Sequence, residues 1–179
     1  TSLTVILLNI FVSIGQEIAP YIKVTETSEG IDQISEKVVA TLKNNNFTIL
    51  GTYNPSNKKT LKVIAFTRTD LKNTVIKVTD RGALAATFKI GFIEENGKTT
   101  VSYTNPDYIL RAYLGANYNT FSSIFKTFSS DLKSSLAAVG SDFTPFGGTV
   151  AANKLHKYHY KIMMPYFSDP VTLNEFSSF

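Results

Sequence analysis

The sequence predicts an α+β fold, an antiparallel sheet with a central hairpin and helices packed on one face, in two layers. The first observation is the stretch Phe88–Pro106, in which two runs of β-forming residues flank Asn96 and Gly97. This dipeptide supplies both positive-φ positions of a tight hairpin turn. The second observation is a pair of amphipathic helical patterns, over residues 31–44 and 120–139, which precede and follow the hairpin.

The N-terminal run Leu3–Gly15 is too short to cross a bilayer as a helix but has the length of the apolar region of a secretory signal. Ser13 and Gly15 occupy the −3 and −1 positions of a cleavage site before Gln16. We therefore expect residues 1–15 to be a signal segment of an exported protein, located in the periplasm or cell envelope, with no membrane span in the mature chain. A buried N-terminal strand is the alternative.

The first helical pattern follows a short predicted strand at Tyr21–Thr25. Its apolar residues recur at helical spacing from Ile31 to Leu42, which predicts an amphipathic helix of about four turns. Ser28 is the candidate N-terminal cap, and Asn44–Asn46 is the predicted stop.

Two further strands are predicted at Phe47–Tyr53 and Leu61–Thr67, separated by a turn at Asn54–Asn57. Residues 73–79 alternate apolar and polar side chains in a pattern that does not distinguish a helix from a strand. The pairing of residues 71–87 is therefore left open.

The hairpin leads directly into a short helix. Asn105 is a capping residue and Pro106 occupies the first helical position, so the pattern predicts a helix from Pro106 to Leu114 that ends at Gly115. Asn96, Gly97, Asn105 and Pro106 are thus assigned structural roles. The predicted buried face of the helix consists of Ile109, Ala112 and Tyr113.

Apolar residues recur at helical spacing through Thr120–Val139, opposite a serine-rich face, and Gly140 closes the pattern. This spacing predicts a helix packed on the sheet, since its polar face carries few of the cations typical of a membrane-surface helix. We expect residues 16–140 to form the α+β domain. The proline- and glycine-interrupted tail, 141–179, is expected to connect to a further C-terminal region, and the lack of an initiating methionine indicates a fragment.

Composition excludes several classes of function. The 179 residues are 43% hydrophobic, and the net charge of +4 comes from dispersed lysines rather than from a basic run. This pattern predicts a mildly basic surface and no nucleic-acid binding. The absence of cysteine excludes disulfides, thiolate nucleophiles, iron–sulfur clusters and cysteine-type zinc sites.

A family resemblance extends over residues 30–139. The segment KIGFIEENGKTTVSYTNPDYILRAYL, and most sharply Val101–Tyr108 within it, resembles the domain-of-unknown-function 302 family. The tail is similar to a longer exported form found in Bacteroidetes-type proteins, in which a second related region follows. The resemblance implies a compact α+β fold that pairs with a like domain, and it implies no activity. The chain departs from the shorter family members between Leu71 and Thr87.

Two Ser-x-x-Lys spacings, Ser123 with Lys126 and Ser130 with Lys133, match the minimal pattern of serine acyl-transferases. The partner motifs Ser-Asp-Asn and Lys-Thr-Gly are missing, and both pairs lie on the predicted polar face, so a solvated helix surface is the preferred interpretation. The pair Asp80–Arg81 is interpreted in the same way, as a surface ion pair beside a turn.

Four tyrosines recur around the end of the hairpin and are the candidate binding residues. They are interpreted as the rim of the core, with an apolar ligand groove or an association surface as the alternative. These residues are Tyr103, Tyr108, Tyr113 and Tyr118.

His156 and His159 are weak candidates for metal or haem ligation. On a helix the spacing of three residues would place both imidazoles on one face, whereas on a strand it would separate them. The alternation of apolar and polar residues from Lys154 to Lys161 favours an extended segment, in which His156 shares the apolar face, and the neighbouring lysines repel cations. We therefore expect packing or surface histidines and no metal.

Together these observations predict a non-catalytic binding or interaction module of the cell envelope, without a cofactor. Its expected partners are a second copy, a second related domain in the same chain, or a small apolar ligand. The alternative is a hydrolase-type enzyme that takes catalytic groups from a region after Phe179, or a metal- or haem-binding protein.

Overall fold

The structure of the chain, a computed structural model, describes residues 16–79 and 81–157. The strands are β1 (Glu17–Ile18), β2 (Tyr21–Thr27), β3 (Thr48–Tyr53), β4 (Leu61–Thr67), β5 (Phe88–Glu95), β6 (Lys98–Thr104), β7 (Thr144–Phe146) and β8 (Val150–Ala151). The helices are α1 (Ile31–Asn44), α2 (Thr69–Val75), α3 (Pro106–Leu114) and α4 (Ser122–Leu136). Short 3₁₀ segments connect them at Pro55–Asn57, Gly82–Ala86, Gly115–Phe121 and Leu155–Lys157.

Six strands form one antiparallel sheet in the order β3-β4-β5-β6-β2-β7, and β1 pairs with β8 in a separate two-stranded ladder. Helix α1 contacts β3, β4 and β5, and α4 packs beside α1. The α+β fold class, with helices packed against an antiparallel sheet, is therefore confirmed.

The hairpin is also confirmed. Strands β5 and β6 pair directly, with Glu95 opposite Lys98, and the two turn residues between them have positive φ. The φ angles are 52° at Asn96 and 74° at Gly97. These angles are those of the primed turns that match the right-handed twist of the flanking strands.

The core lies between the helices and one face of the sheet, because alternate residues of a strand project to the same face. Each fully buried phenylalanine side chain stabilises the fold by about 2 kcal/mol through loss of apolar surface from water. The sheet contributes Ile64, Phe66, Phe88, Ile90, Phe92, Val101 and Tyr103, all at most 3% exposed. Helix α1 contributes Ile31, Ile34, Val38 and Leu42, as its spacing predicted.

The predicted cap of α1 is wrong. The helix begins after Gly30, which makes no side-chain capping bond, whereas Ser28 lies outside the helix. The carbonyl of Glu29 accepts a hydrogen bond from the Thr99 hydroxyl at 2.8 Å, and this bond to β6 holds the chain extended beyond Ser28. A long-range contact has thus moved the helix start.

Helix α3 begins and ends as predicted, at Pro106 and before Gly115. Its buried face is shifted by one position, since Ile109, Ala112 and Tyr113 are only partly buried. The 3₁₀ segments after α3 and at Leu155–Lys157 pack on the helix and cover a different stripe. The fully buried residues are Pro106, Leu110 and Leu114.

The region left open, residues 71–87, forms two short helical pieces and no strand within its described residues. Helix α2 ends at Val75, and a 3₁₀ segment occupies Gly82–Ala86. Helix α4 starts at Ser122 rather than Thr120, because a 3₁₀ segment precedes it. None of the helices in the described ranges has the length and hydropathy that crossing a bilayer requires.

The first part of the segment after residue 140 packs against the domain. Strand β7 pairs with β2, with Phe146 opposite Tyr21, and β8 pairs with β1. Leu155 is 2% exposed. The extended conformation predicted around His156 is wrong, since residues 155–157 form a 3₁₀ turn that buries Leu155 and exposes His156.

Candidate functional site

The four tyrosines of the sequence prediction differ in burial. Tyr103 on β6 and Tyr118 after α3 are 3% and 6% exposed and belong to the core. Tyr108 and Tyr113 lie half-buried on α3, and Tyr113 packs against the same core. Burial raises the pKa of Tyr103 to about 12, so its hydroxyl stays protonated in neutral solution.

Tyr118 forms a cluster with Asp107 and Arg111 that the sequence did not predict. The Tyr118 hydroxyl donates to Asp107 Oδ1, and Arg111 Nε lies 3.0 Å from the same carboxylate. The Arg111 guanidinium stacks over the tyrosine ring at 4.0 Å from its centroid. Burial, followed by the bond to Asp107, raises the pKa of Tyr118 to about 12. Each group is thus engaged by its neighbours, and the phenol is not available as a base.

A cleft of about 290 Å³ lies beside this cluster and is lined in part by Arg111, Tyr118 and His156. His156 itself is exposed and passes close to the Gly115 backbone. His159 lies outside the described residues. Within residues 16–79 and 81–157, no three His, Cys, Asp or Glu side chains come together in a way that would hold a metal ion.

The Ser-x-x-Lys pairs lie on the solvent face of α4. Ser123, Lys126, Ser130 and Lys133 are all exposed. The Lys133 ammonium lies 5.1 Å from the centroid of the Phe143 ring, which draws it toward the C-terminal segment. Asp80 lies outside the described residues, so the Asp80–Arg81 pair is not described further.

Among the described residues, the most deeply buried charge is that of Arg68, at the end of β4. Its side chain is 10% exposed and forms a two-pronged ion pair with Asp70, with Nε–Oδ1 and Nη2–Oδ2 distances of 2.7 and 2.9 Å. Nη1 binds Asp131 Oδ2 of α4 at 2.6 Å. The guanidinium carbon lies 5.3 and 5.1 Å from the ring centroids of Phe47 and Phe128.

These contacts set the protonation of the cluster. Burial opposes the charge of Arg68, but its hydrogen bonds to Asp70 and Asp131 outweigh this effect and raise its pKa. Burial likewise opposes the charge of Asp70, but the bonds from Arg68 and the Leu71 amide lower its pKa. Both groups therefore stay ionised and paired in neutral solution, which suits a structural clamp better than acid–base catalysis.

A cleft of about 650 Å³ opens beside this clamp. The sequence did not predict the clamp or its cleft, because Arg68 and Asp131 are 63 residues apart and only the folded domain brings them together. The local signal was Arg68 with Asp70, an ion pair two residues apart at a strand end. Phe47 was predicted only as a strand residue, and its ring packs against the Arg68 guanidinium.

The two edges of the large sheet differ in kind. The β7 edge is three residues long and contains Pro145. The β3 edge is six residues long, contains neither proline nor charge, and exposes Leu50 and Tyr53 at 53% and 46%. A register shift between Ile49 and Gly51 places a bulge at Leu50.

An apolar groove of about 410 Å³ lies between α1 and this β3 edge. The helix lines it with Glu36, Val39, Ala40 and Lys43, and Thr52 of β3 lies on the opposite wall. We refer to it as the edge groove. Lys62, which also lines it, is paired with Asp32 and donates to Ser35 Oγ at 3.0 Å, so its charge is balanced within the domain.

The fold and its clusters define a two-layer α+β domain. The chain belongs to the family described as "Domain of unknown function DUF302", since the sequence model of that family matches residues 23–139. This finding confirms the resemblance seen in the sequence. A similar solved structure is the crystal structure of the uncharacterized conserved protein DUF302 from Bacillus stearothermophilus. It is 15% identical, covers 69% of this chain and 98% of its own, and superposes with a TM-score of 0.49. A comparison with curated proteins finds no match to this chain.

Proposed function

We propose that the chain is a non-catalytic interaction module of the cell envelope that pairs with a like domain through the β3 edge of its sheet. The observation that carries the proposal is the contrast between this uncharged edge and the short, proline-containing β7 edge. The main-chain groups of an unblocked edge strand are a template for another strand.

Natural sheets block edges with short strands, proline, inward-pointing charges or bulges. The bulge at Leu50 interrupts only the first part of β3, and the regular ladder continues from Gly51 to Tyr53. No described strand pairs with the outer side of this segment, which lies beside the edge groove. Added burial of Leu50 and Tyr53, at about 25 cal/mol per Å² of apolar surface, would favour a paired state.

Export is the second part of the proposal, and it rests on the apolar run Leu3–Gly15 with small residues before Gln16. Expression of the chain behind an initiating methionine in a bacterium, followed by fractionation and intact-mass measurement, tests it. We expect an envelope-fraction protein that begins at Gln16. A protein that retains Leu3–Gly15 in its folded core would contradict export.

Pairing is tested with Gly51→Lys, which introduces the charge that natural edges use. A Cβ built at Gly51 meets nothing within 4 Å, so the backbone leaves room for a side chain to begin there. Gly30→Lys is the matched control, because Gly30 has equally open surroundings and lies at the start of α1. Light scattering over a concentration series should show association of the wild type and Gly30→Lys, and its loss in Gly51→Lys. A wild-type monomer at millimolar concentration would contradict the proposal.

A further inference from the structure

We infer that the like domain is a second copy of this chain, bound about a two-fold axis that passes Thr52 of β3 and the Val39–Ala40 midpoint of α1. The inference rests on the proposed function and specifies its partner and symmetry. In such an isologous interface each surface meets its own copy, so the surface must be complementary to itself. Three features of the β3 side meet this condition.

The first feature is the stripe that α1 presents to the edge groove. Glu36, Val39, Ala40 and Lys43 line the groove at positions i, i+3, i+4 and i+7, which is one face of a helix. Glu36 and Lys43 are exposed. When the stripe is laid antiparallel on its own copy, Glu36 of each chain faces Lys43 of the other, and only Val39 and Ala40 lie at the axis.

The second feature is the spacing between the two helices. Helix α1 contacts β3, β4 and β5, so its axis runs above β4. If β3 pairs with its copy, the two β4 strands lie three strand spacings apart, about 14 Å, which leaves about 10 Å between the facing Cα positions of the helices. Long side chains bridge a gap of this size at the flanking positions of coiled coils. Glu36 and Lys43 are of that type.

The third feature is the strand at the axis. Beyond the bulge, Thr52 is the central residue of the regular segment Gly51–Tyr53, and it also lines the edge groove. Antiparallel pairing about Thr52 would place the two threonines opposite each other, a favourable cross-strand pair. A charged residue at this position would face its own charge, and β3 has none.

Disulfide trapping tests the position of the axis. The chain has no cysteine, so Thr52→Cys introduces a single thiol. Opposed residues of antiparallel strands have Cα atoms about 4.5 to 5.5 Å apart, within the range that a disulfide spans. Thr48→Cys is the control on the same strand, since two copies of Thr48 would lie roughly 25 Å apart. We expect Thr52→Cys to form a covalent dimer at least tenfold faster under mild oxidation.

Charge reversal tests the helix stripe. Glu36→Lys places the introduced ammonium opposite Lys43 of the other copy, and Lys43→Glu places two glutamates together, twice per dimer in each case. We expect each substitution to weaken dimerisation roughly tenfold, and the double variant to recover the wild-type affinity. Mixing the two single variants should also produce a heterodimer, because one chain then carries lysine and the other glutamate at both positions, and each of the two pairs joins opposite charges.

The outcomes separate this inference from the proposed function. A dimer that is lost in Gly51→Lys but shows no recovery in the Glu36→Lys/Lys43→Glu double variant overturns the two-fold stripe and leaves edge pairing intact. Equal trapping rates for Thr52→Cys and Thr48→Cys overturn the axis in the same way. A wild-type chain that stays monomeric overturns both. Preferential trapping at Thr52 together with recovery in the double variant supports the inference.

Discussion

The two flanks of the sheet are built differently. On the open flank, β3 and β4 are joined by a short connection, and within residues 16–79 and 81–157 no strand pairs with the outer edge of β3. On the closed flank, the chain returns after α4 and adds β7 to β2, with Lys23 paired to Asp142 at 2.7 Å. On this flank the edge of β2 is therefore covered by a short strand that comes from more than 100 residues later in the sequence. On the open flank the corresponding feature is internal, the clamp by which Arg68 joins the end of β4 to α4.

Arg68→Met should have the largest effect on stability. It removes the clamp between β4 and α4, two cation–π contacts, and the partner of Asp70 and Asp131, whose side chains are half-exposed and can rehydrate. We expect a loss of about 3 kcal/mol in the free energy of unfolding, near the lower end for a buried pair. Urea denaturation measures it.

Helix α3 offers the matched substitution, Arg111→Met. Arg111 is 25% exposed, pairs with Asp107 one helical turn away and stacks on one ring, that of Tyr118, so its loss should cost less, about 1 kcal/mol. Arg68→Lys should fall between the two, because it retains the charge but loses the two-pronged geometry. Equal costs for Arg68→Met and Arg111→Met would show that the clamp between β4 and α4 is no stronger than an ion pair within one helix.

Adding one methyl group to each flank gives a second contrast. A Cβ at Gly140 would lie 2.4 Å from Thr25 Cβ and 2.6 Å from the Val24 carbonyl oxygen, so β2 or the returning segment must move. We expect Gly140→Ala to destabilise the fold by about 2 kcal/mol. Gly51→Ala on the open flank meets no atom within 4 Å and should be neutral or slightly stabilising. Thermal melting measures the change in melting temperature of each variant. Similar changes would show that the closed flank is as loosely packed as the open one.

The sequence predicted best where the determinants are local. Asn96 and Gly97 specify a turn by their own backbone preferences, and Asn105 with Pro106 specifies a helix start. The predicted cap at Ser28 is wrong because the Thr99 hydroxyl of β6 binds the Glu29 carbonyl and holds the backbone extended just before α1. Local patterns cannot contain a bond to a strand 70 residues away.

The candidate sites were predictable only in part. The tyrosines after the hairpin were recognised by their recurrence, but the sequence did not indicate that Tyr118 shares Asp107 with Arg111. Arg68 was missed because its second carboxylate and its second aromatic ring come from α4. The edge groove likewise depends on which strand ends the sheet, and strand order is set by tertiary packing.

Alkaline pH should weaken the packing of α3 and α4 through Tyr118. Its pKa in the folded chain is raised to about 12, whereas an unfolded tyrosine titrates near 10. Its contribution is therefore fully present below pH 10 and is lost as the pH rises toward 12. Between pH 9 and 11.5 the free energy of unfolding of the wild type should fall by about 1 to 2 kcal/mol more than that of Tyr118→Phe.

Urea denaturation at the two pH values gives this difference, and the common titration of lysines cancels between the two proteins. Tyr103→Phe should act in the same direction, because burial alone raises the pKa of Tyr103 to about 12. Identical pH slopes for the wild type and Tyr118→Phe would mean that the Tyr118 phenol reaches solvent.

The smallest expected effect concerns Asn105, which joins α3 to the closed flank by two separable bonds. Its Oδ1 accepts from the Asp107 amide at 3.1 Å, and its Nδ2 donates to the Ala19 carbonyl at 2.8 Å. Asn105→Ala loses both bonds and should cost about 1 kcal/mol, the usual value for a lost cap.

Asn105→Asp keeps the acceptor, and its charge suits a helix start, but it cannot donate to Ala19. If the cap dominates, Asn105→Asp should retain most of the wild-type stability in urea denaturation; if the bond to Ala19 dominates, it should be as unstable as Asn105→Ala. We expect the first result, because the first-turn amides of α3 depend on the cap and the negative charge interacts favourably with the helix N-terminus, which offsets part of the lost bond to Ala19. An unchanged midpoint for Asn105→Ala would show that neither bond contributes and that the closed flank is held by strand pairing alone.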